Sequence, residues 1–173
     1  YHLAMLLPFP FRHFENHELI HPGWMYAGLG RRLLLRLLEN HRSQRILAGL
    51  QERQAPFWLF AMQMETDFSV RAYSHYQDMD TALEEVITSF AAHAPGDAEL
   101  LVKLHPLDPC VKNWPKRISA LARKASMVGR VHVAPRGDLD AMLKAARGMV
   151  TINSTTASRA LSFDKPVKFL GQT

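Results

Sequence analysis

The chain has 173 residues and a mass of 19.7 kDa, room for one ordinary domain or a large part of a two-domain enzyme. With 47% hydrophobic and 21% charged residues its composition is that of a globular protein, which excludes wholesale disorder. The net charge of +5 favours anionic partners, the one cysteine excludes an internal disulfide framework, and no apolar run reaches the ~18–20 residues of a membrane-spanning helix.

Residues 1–30 read as irregular, because Pro8, Pro10 and Pro22 break helices and Gly23, Gly28 and Gly30 signal turns. Residues 31–54 read as a helix, with Leu33, Leu34, Leu37 and Leu38 at helical spacing and Arg31, Arg32, Arg36, Arg42 and Arg45 supplying charge. A basic amphipathic helix can lie on anionic lipid, but the commoner arrangement puts the leucines in the core and the charges in water. Asn40-His41-Arg42-Ser43 is a point where it can be interrupted.

From Pro56 the pattern changes. Phe57–Met62 is a continuous apolar run suited to a buried strand, followed by the polar turn Gln63–Asp67. A helix is expected over Met79–His93, closed by Pro95-Gly96, and a strand over Leu100–Leu104, ending at His105-Pro106. A helix over Trp114–Met127, a short strand Val131–Val133 and a short helix Asp138–Ala146, with Asp138 as N-cap, come next. Met149–Ile152 is a strand that meets Asn153-Ser154-Thr155-Thr156; Ala157–Leu161 is helical, and Val167–Leu170 is a last strand. Strands alternating with helices argue for a parallel α/β sheet with right-handed crossovers.

In such a sheet ligands bind outside the carboxyl ends of the strands. Three polar clusters fall there: Gln63–Asp67, His105-Pro106 and Asn153-Ser154-Thr155. The last precedes a helix, so its hydroxyls and the first helical N–H groups can either bind a phosphate or simply cap the helix. His105 is held by the fixed backbone of Pro106, and a protonated or N–H-donating imidazole there can hold a phosphate. Glu65 and Asp67 share a face if the strand pairing continues that far, and paired carboxylates suit nucleophilic or general-base work at a sugar carbon; the other reading is an acidic turn capping the next element. Neither GxGxxG nor GxxxxGK[ST] occurs. With scattered histidines and no HExxH, no metal site is expected. Nucleic acid is not expected either, for want of a recognition-helix or RNA-binding aromatic signature.

Three stretches in order, Leu101-Val102-Lys103-Leu104-His105-Pro106-Leu107-Asp108, Val150-Thr151-Ile152-Asn153-Ser154-Thr155 and Lys165-Pro166-Val167-Lys168-Phe169-Leu170-Gly171, resemble the capsule polysaccharide biosynthesis/export family. Its members include bacterial retaining β-Kdo glycosyltransferases that use CMP-Kdo. Phe60–Asp67 and Tyr73-Ser74 are similar to that family's strand-plus-acidic-loop segment, so the resemblance covers about residues 56–173. It implies a Rossmann-like, donor-binding C-terminal domain of a GT-B-type glycosyltransferase over 56–173. Residues 1–55 would be a remnant of an N-terminal domain or linker, and the whole part of a longer chain.

Carried over by residue, the resemblance makes Asp67 the nucleophile and gives Gln63, Lys103, His105, Pro106, Asn153, Ser154 and Thr155 to the CMP-sugar donor, with His105 also helping the nucleotide leave. The family's upstream Phe-Glu motif falls on Phe14-Glu15, making Glu15 the acid/base. There the family continues Gly-Tyr-Leu-Arg-Pro, whereas this chain has Asn16-His17-Glu18-Leu19-Ile20-His21-Pro22. The implied setting is cytoplasmic, with a lipid-linked glycan acceptor, peripheral contact with the anionic inner membrane, and no cofactor beyond the donor substrate. The departure after Glu15 keeps an alternative open, a non-catalytic nucleotide- or anion-binding module of the same fold.

Overall fold

A computed structural model describes residues 21–171. Helix α1 runs over Pro22–Leu34 and α2 over Arg36–Glu52, and they meet at Leu35 (φ −87°, ψ 2°). After them come β1 (Phe57–Ala61), α3 (Phe68–Ala72), α4 (Met79–His93), β2 (Glu99–Lys103) and α5 (Trp114–Lys124). The chain ends through β3 (Val131–Ala134), α6 (Leu139–Ala145), β4 (Gly148–Thr151), α7 (Thr156–Leu161) and β5 (Val167–Phe169).

The five strands are parallel, in the order β3-β2-β1-β4-β5. The chain therefore winds outward from β1 to β3, returns to the other side of β1 as β4, and winds outward again to β5. The reversal between β1 and β4 is the topological switch point of a doubly wound, Rossmann-like sheet. Both faces are covered, which is why β1 and β2 read as near-continuous apolar runs. On one face Phe60, Leu100 and Val102 pack against α4, through Met79, Leu83 and Val86, and against Trp114 and Ile118 of α5. On the other, Leu59, Leu101 and Met149 pack against α6, α7 and the C-terminal half of α2 (Ile46, Leu47, Leu50).

Two expectations for the N-terminal segment need correction. Residues 22–30 are helical rather than irregular: Pro22 occupies the first turn, where a missing N–H costs nothing, and the His21 ring caps the end by accepting from the Gly23 N–H at 3.2 Å. Gly28 is there for close approach, since a Cβ on it would stand 2.2 Å from the Pro109 carbonyl oxygen. The helix breaks at Leu35 and passes through Asn40–Ser43 without interruption.

The second correction concerns which side faces inward. Leu33, Leu34, Leu37 and Leu38 are exposed, while Arg32 is fully buried. The inward face of the helical pair is polar in its first part (Arg32, Glu39, Ser43) and apolar in its last (Ile46, Leu47, Leu50). Its polar part meets the loops after β2 and β3, whose carbonyls need donors that leucine lacks.

Candidate functional site

A cleft of about 500 Å³ opens at the carboxyl ends of β1, β2 and β4, at the switch point. Gln63, Asp67, Lys103, His105, Pro106, Asn153, Ser154 and Thr155 all line it, together with Ser69 and Thr156. Residues as far apart in sequence as Gln63 and Asn153, 90 positions, thus meet on one rim. Glu15 lies outside the described residues.

Gln63 is buried and joins the ends of β1 and β4. Its Oε1 accepts from the Asn153 N–H at 3.0 Å, and its Nε2 donates to Asn153 Oδ1 at 2.9 Å. Asn153 Nδ2 in turn donates to the Ser69 carbonyl at 2.6 Å. Asp67 is fixed from the same network: Oδ1 accepts from the Ser69 N–H at 3.0 Å and the Ser69 hydroxyl at 2.8 Å, and Gln63 Nε2 lies 3.4 Å from Oδ2. Asp67 is therefore the N-cap of α3, a role worth about 1 kcal/mol. Its Oδ2, held only by the long Gln63 contact, is the oxygen with spare lone pairs.

Glu65 does not join it. Strand β1 ends at Ala61, the chain turns, and Glu65 pairs with Lys112, which also reaches Asp80 at 2.8 Å. Glu65 and Lys112 line a separate cleft with Trp114, so Glu65 and Asp67 act as individuals.

On the opposite rim, Lys103 ends β2 with 7% of its surface exposed. Its ammonium makes no hydrogen bond or ion pair among the described residues. Burial pushes its pKa down, Arg32 and Arg136 push the same way, and Asp138 opposes them. The Lys103 stem is buried while the ammonium reaches the cleft without a protein partner, and an anion entering there would supply the missing charge. His105 accepts the Leu107 N–H on Nδ1 at 3.2 Å, which puts the ring hydrogen on Nε2 as a free donor. Burial is the main cause holding its pKa below the usual value; Asp108 and Asp67 pull up, Lys103 and Arg32 pull down. Of the two forms considered from sequence, the neutral N–H donor is the one this setting favours.

Ser154 Oγ accepts from the Thr156 N–H at 3.2 Å and the Thr156 hydroxyl at 2.9 Å, whereas the Thr155 side chain caps nothing. With only six residues α7 offers a weak dipole, so the hydroxyls are the useful groups here. Sequence reasoning missed Ser69. The signal was present, since Asp-x-Ser is the spacing by which an N-cap aspartate reaches the second residue of the next helix.

This rim sits in a chain whose relatives are recognisable. A family model described as capsule polysaccharide biosynthesis protein matches residues 1–173. The chain belongs to this capsule polysaccharide family. Within the family it is 27% identical over 166 residues to the capsule polysaccharide export protein KpsS of Escherichia coli, covering 93% of this chain and 42% of that one. It is 31% identical over 131 residues to the capsule polysaccharide modification protein LipB of two Neisseria meningitidis serogroups, covering 75% of this chain and 30% of theirs. The chain thus spans less than half the length of these relatives. Among solved structures it shares the fold of KpsC of Thermosulfurimonas dismutans, a beta Kdo 2,7 transferase, with a TM-score of 0.50 at 21% identity over 83% of this chain and 46% of that one. None of the described helices is long and apolar enough to cross a membrane.

Proposed function

We propose that this member of the capsule family is the donor-binding part of a GT-B-type glycosyltransferase. It would transfer Kdo or a similar keto-sugar acid from a CMP-activated donor to a lipid-linked glycan. The observation that carries the reading is the meeting of an oriented carboxylate (Asp67), an unpaired ammonium on a buried stem (Lys103) and a free imidazole donor (His105) in one cleft at the switch point. On this reading residues 56–173 are the nucleotide-sugar-binding domain and 1–55 a remnant of an N-terminal domain or linker. The protein works on the cytoplasmic side, with the exposed arginines of α1 and α2 (Arg31, Arg36, Arg42 and Arg45) touching the anionic inner membrane.

The chemistry follows from the donor. A CMP-keto-sugar carries a carboxylate beside the reacting carbon and ionises through an oxocarbenium-like state. Asp67 Oδ2 attacks that carbon as its bond to the phosphate oxygen breaks, and the bonding pair leaves with CMP. Lys103 and the His105 Nε2–H stabilise the charge gathering on the phosphate, with the Ser154 and Thr155 hydroxyls beside them. Gln63 and Asn153 hold the rim, and Pro106 keeps the His105 backbone extended. An acceptor hydroxyl then displaces Asp67, passing its proton to Glu15, and two inversions give retention.

A second reading has one observation in its favour: Asp67 Oδ1 is fully engaged in capping α3. A non-catalytic nucleotide- or anion-binding module would keep that cap and need no nucleophile. Calorimetry with CMP, using UMP and AMP as controls, combined with a transfer assay on the intact gene product, separates the two. Transferase function requires selective CMP binding that is markedly weakened, though still measurable, in His105→Ala, and an Asp67→Asn variant that binds CMP but does not transfer. Binding without transfer in the unaltered protein establishes the module. No nucleotide binding by the folded protein removes the transferase and the nucleotide-binding module alike.

A further inference from the structure

Among the described residues Arg32 is the one fully buried arginine, and every nitrogen of its guanidinium is occupied. Nη1 donates to the His105 carbonyl at 2.8 Å and to the Asp108 carbonyl at 2.7 Å, and Nη2 donates to the Pro135 carbonyl at 2.5 Å. Nε faces Glu39 Oε2 at 3.4 Å, and that same oxygen accepts from Arg136 Nε at 2.9 Å. One side chain of α1 therefore ties together the loops that leave β2 and β3. A buried guanidinium is tolerable only when its donors are used in this way.

The His105 and Asp108 carbonyls bracket one turn, closed by the Asp108 N–H donating back to the His105 carbonyl at 3.1 Å. Nη1 holds both ends of that turn, while the Leu107 N–H fixes the His105 ring from within it. Gly28, one helical turn before Arg32, lets α1 come down onto Pro109 just beyond the turn. A lysine at position 32 would keep the charge but could not bridge three carbonyls.

We propose that Arg32 is a positioning residue that holds the His105–Asp108 turn so that the His105 ring addresses the cleft. This makes α1 part of the site's support. What His105 binds rests on the donor reading above; what Arg32 holds does not.

The test uses the intact gene product, unaltered and with Arg32→Lys, each with His105 or with His105→Ala. Arg32→Lys is expected to speed amide exchange at Leu107 and Asp108 about tenfold while the amides of β1 and β2 stay protected, and to weaken CMP binding about tenfold. In the His105→Ala background the same change should cost less than about twofold in CMP affinity, because its route of action is already gone. Equal losses in the two backgrounds would make Arg32 a general stabiliser and overturn the proposal. So would unchanged exchange at Leu107 and Asp108, or unchanged CMP affinity in a protein whose unaltered form binds CMP. If the unaltered protein binds no CMP, the donor reading has failed and the exchange result alone decides what Arg32 holds. Should Arg32→Lys not fold, Glu39→Gln loosens the Nε anchor, together with the Arg136 ion pair, and leaves the three carbonyl bonds of Arg32 in place; a two- to threefold loss confined to the His105 background is then expected, and no loss overturns the proposal.

Discussion

The sheet and the α1–α2 pair bury opposite chemistry. Leu101 in β2 is fully enclosed between β1 and β3, whereas Leu34 at the end of α1 is 85% exposed and Arg32, two residues earlier, is sealed from solvent. Both segments carry runs of leucine. A strand buried on both faces admits apolar residues and little else, so its burial can be read from its own composition. A helix shows only which residues share a face; what that face meets decides whether it turns inward. The first face of the α1–α2 pair meets loop carbonyls, and a five-donor side chain wins over leucine.

The sharpest way to break this contrast is Leu101→Ala. Removing a fully buried leucine from the second face of the sheet should cost about 2–5 kcal/mol in urea unfolding. A loss under ~1 kcal/mol would mean that the sheet core can collapse around the gap, and the difference from α1 would shrink accordingly.

Next in size is Lys103→Met. Partial desolvation of an ammonium with no partner opposes folding, so replacing it with a thioether of similar length should stabilise the protein by up to about 1 kcal/mol, at most a few degrees in Tm. CMP binding should weaken at the same time. A drop in Tm would show that Lys103 has a partner in the intact protein, and would remove the argument that the cleft awaits an anion.

The uneven legibility of the chain has the same physical origin. Helix α4 is found at Met79–His93, the bounds its periodicity predicts, because Asp78 caps it and five of its side chains reach the core. The rim was legible too, since strand ends locate ligand sites and β1, β2 and β4 are apolar runs ending in polar residues. Helix α3 was not, because five residues are too few to show a period, and with it went the role of Ser69. Arg32 was hidden for a deeper reason. Its acceptors are backbone carbonyls 73, 76 and 103 residues further on, and a carbonyl leaves no mark on the side-chain pattern.

A smaller effect sharpens the comparison from the side of the cleft. His105 titrates below its ordinary value of 6.5, chiefly through burial, so the folded chain binds its proton less readily than the unfolded chain. Its contribution to stability is complete above pH 6.5, is lost as pH falls from there, and levels off once the folded form is protonated as well. Urea unfolding across this window should show a slope that flattens in His105→Asn. An unchanged slope would mean that the ring is as wet in the folded chain as in the unfolded one.

The smallest expected effect is the most pointed. Leu34→Ala repeats the Leu101 substitution on a residue with 85% of its surface exposed, and Leu37→Ala repeats it at 81%. Alanine and leucine are both strong helix formers, so propensity contributes only a few tenths of a kcal/mol, and little apolar area returns to water. Each change should lie within about 0.5 kcal/mol of the unaltered protein. The same chemical deletion would then differ severalfold in cost between β2 and α1, and the difference could come only from what each leucine touches. If either helix variant costs more than ~1 kcal/mol in the intact gene product, that leucine is covered there, and the outward face of α1–α2 is a packing surface after all.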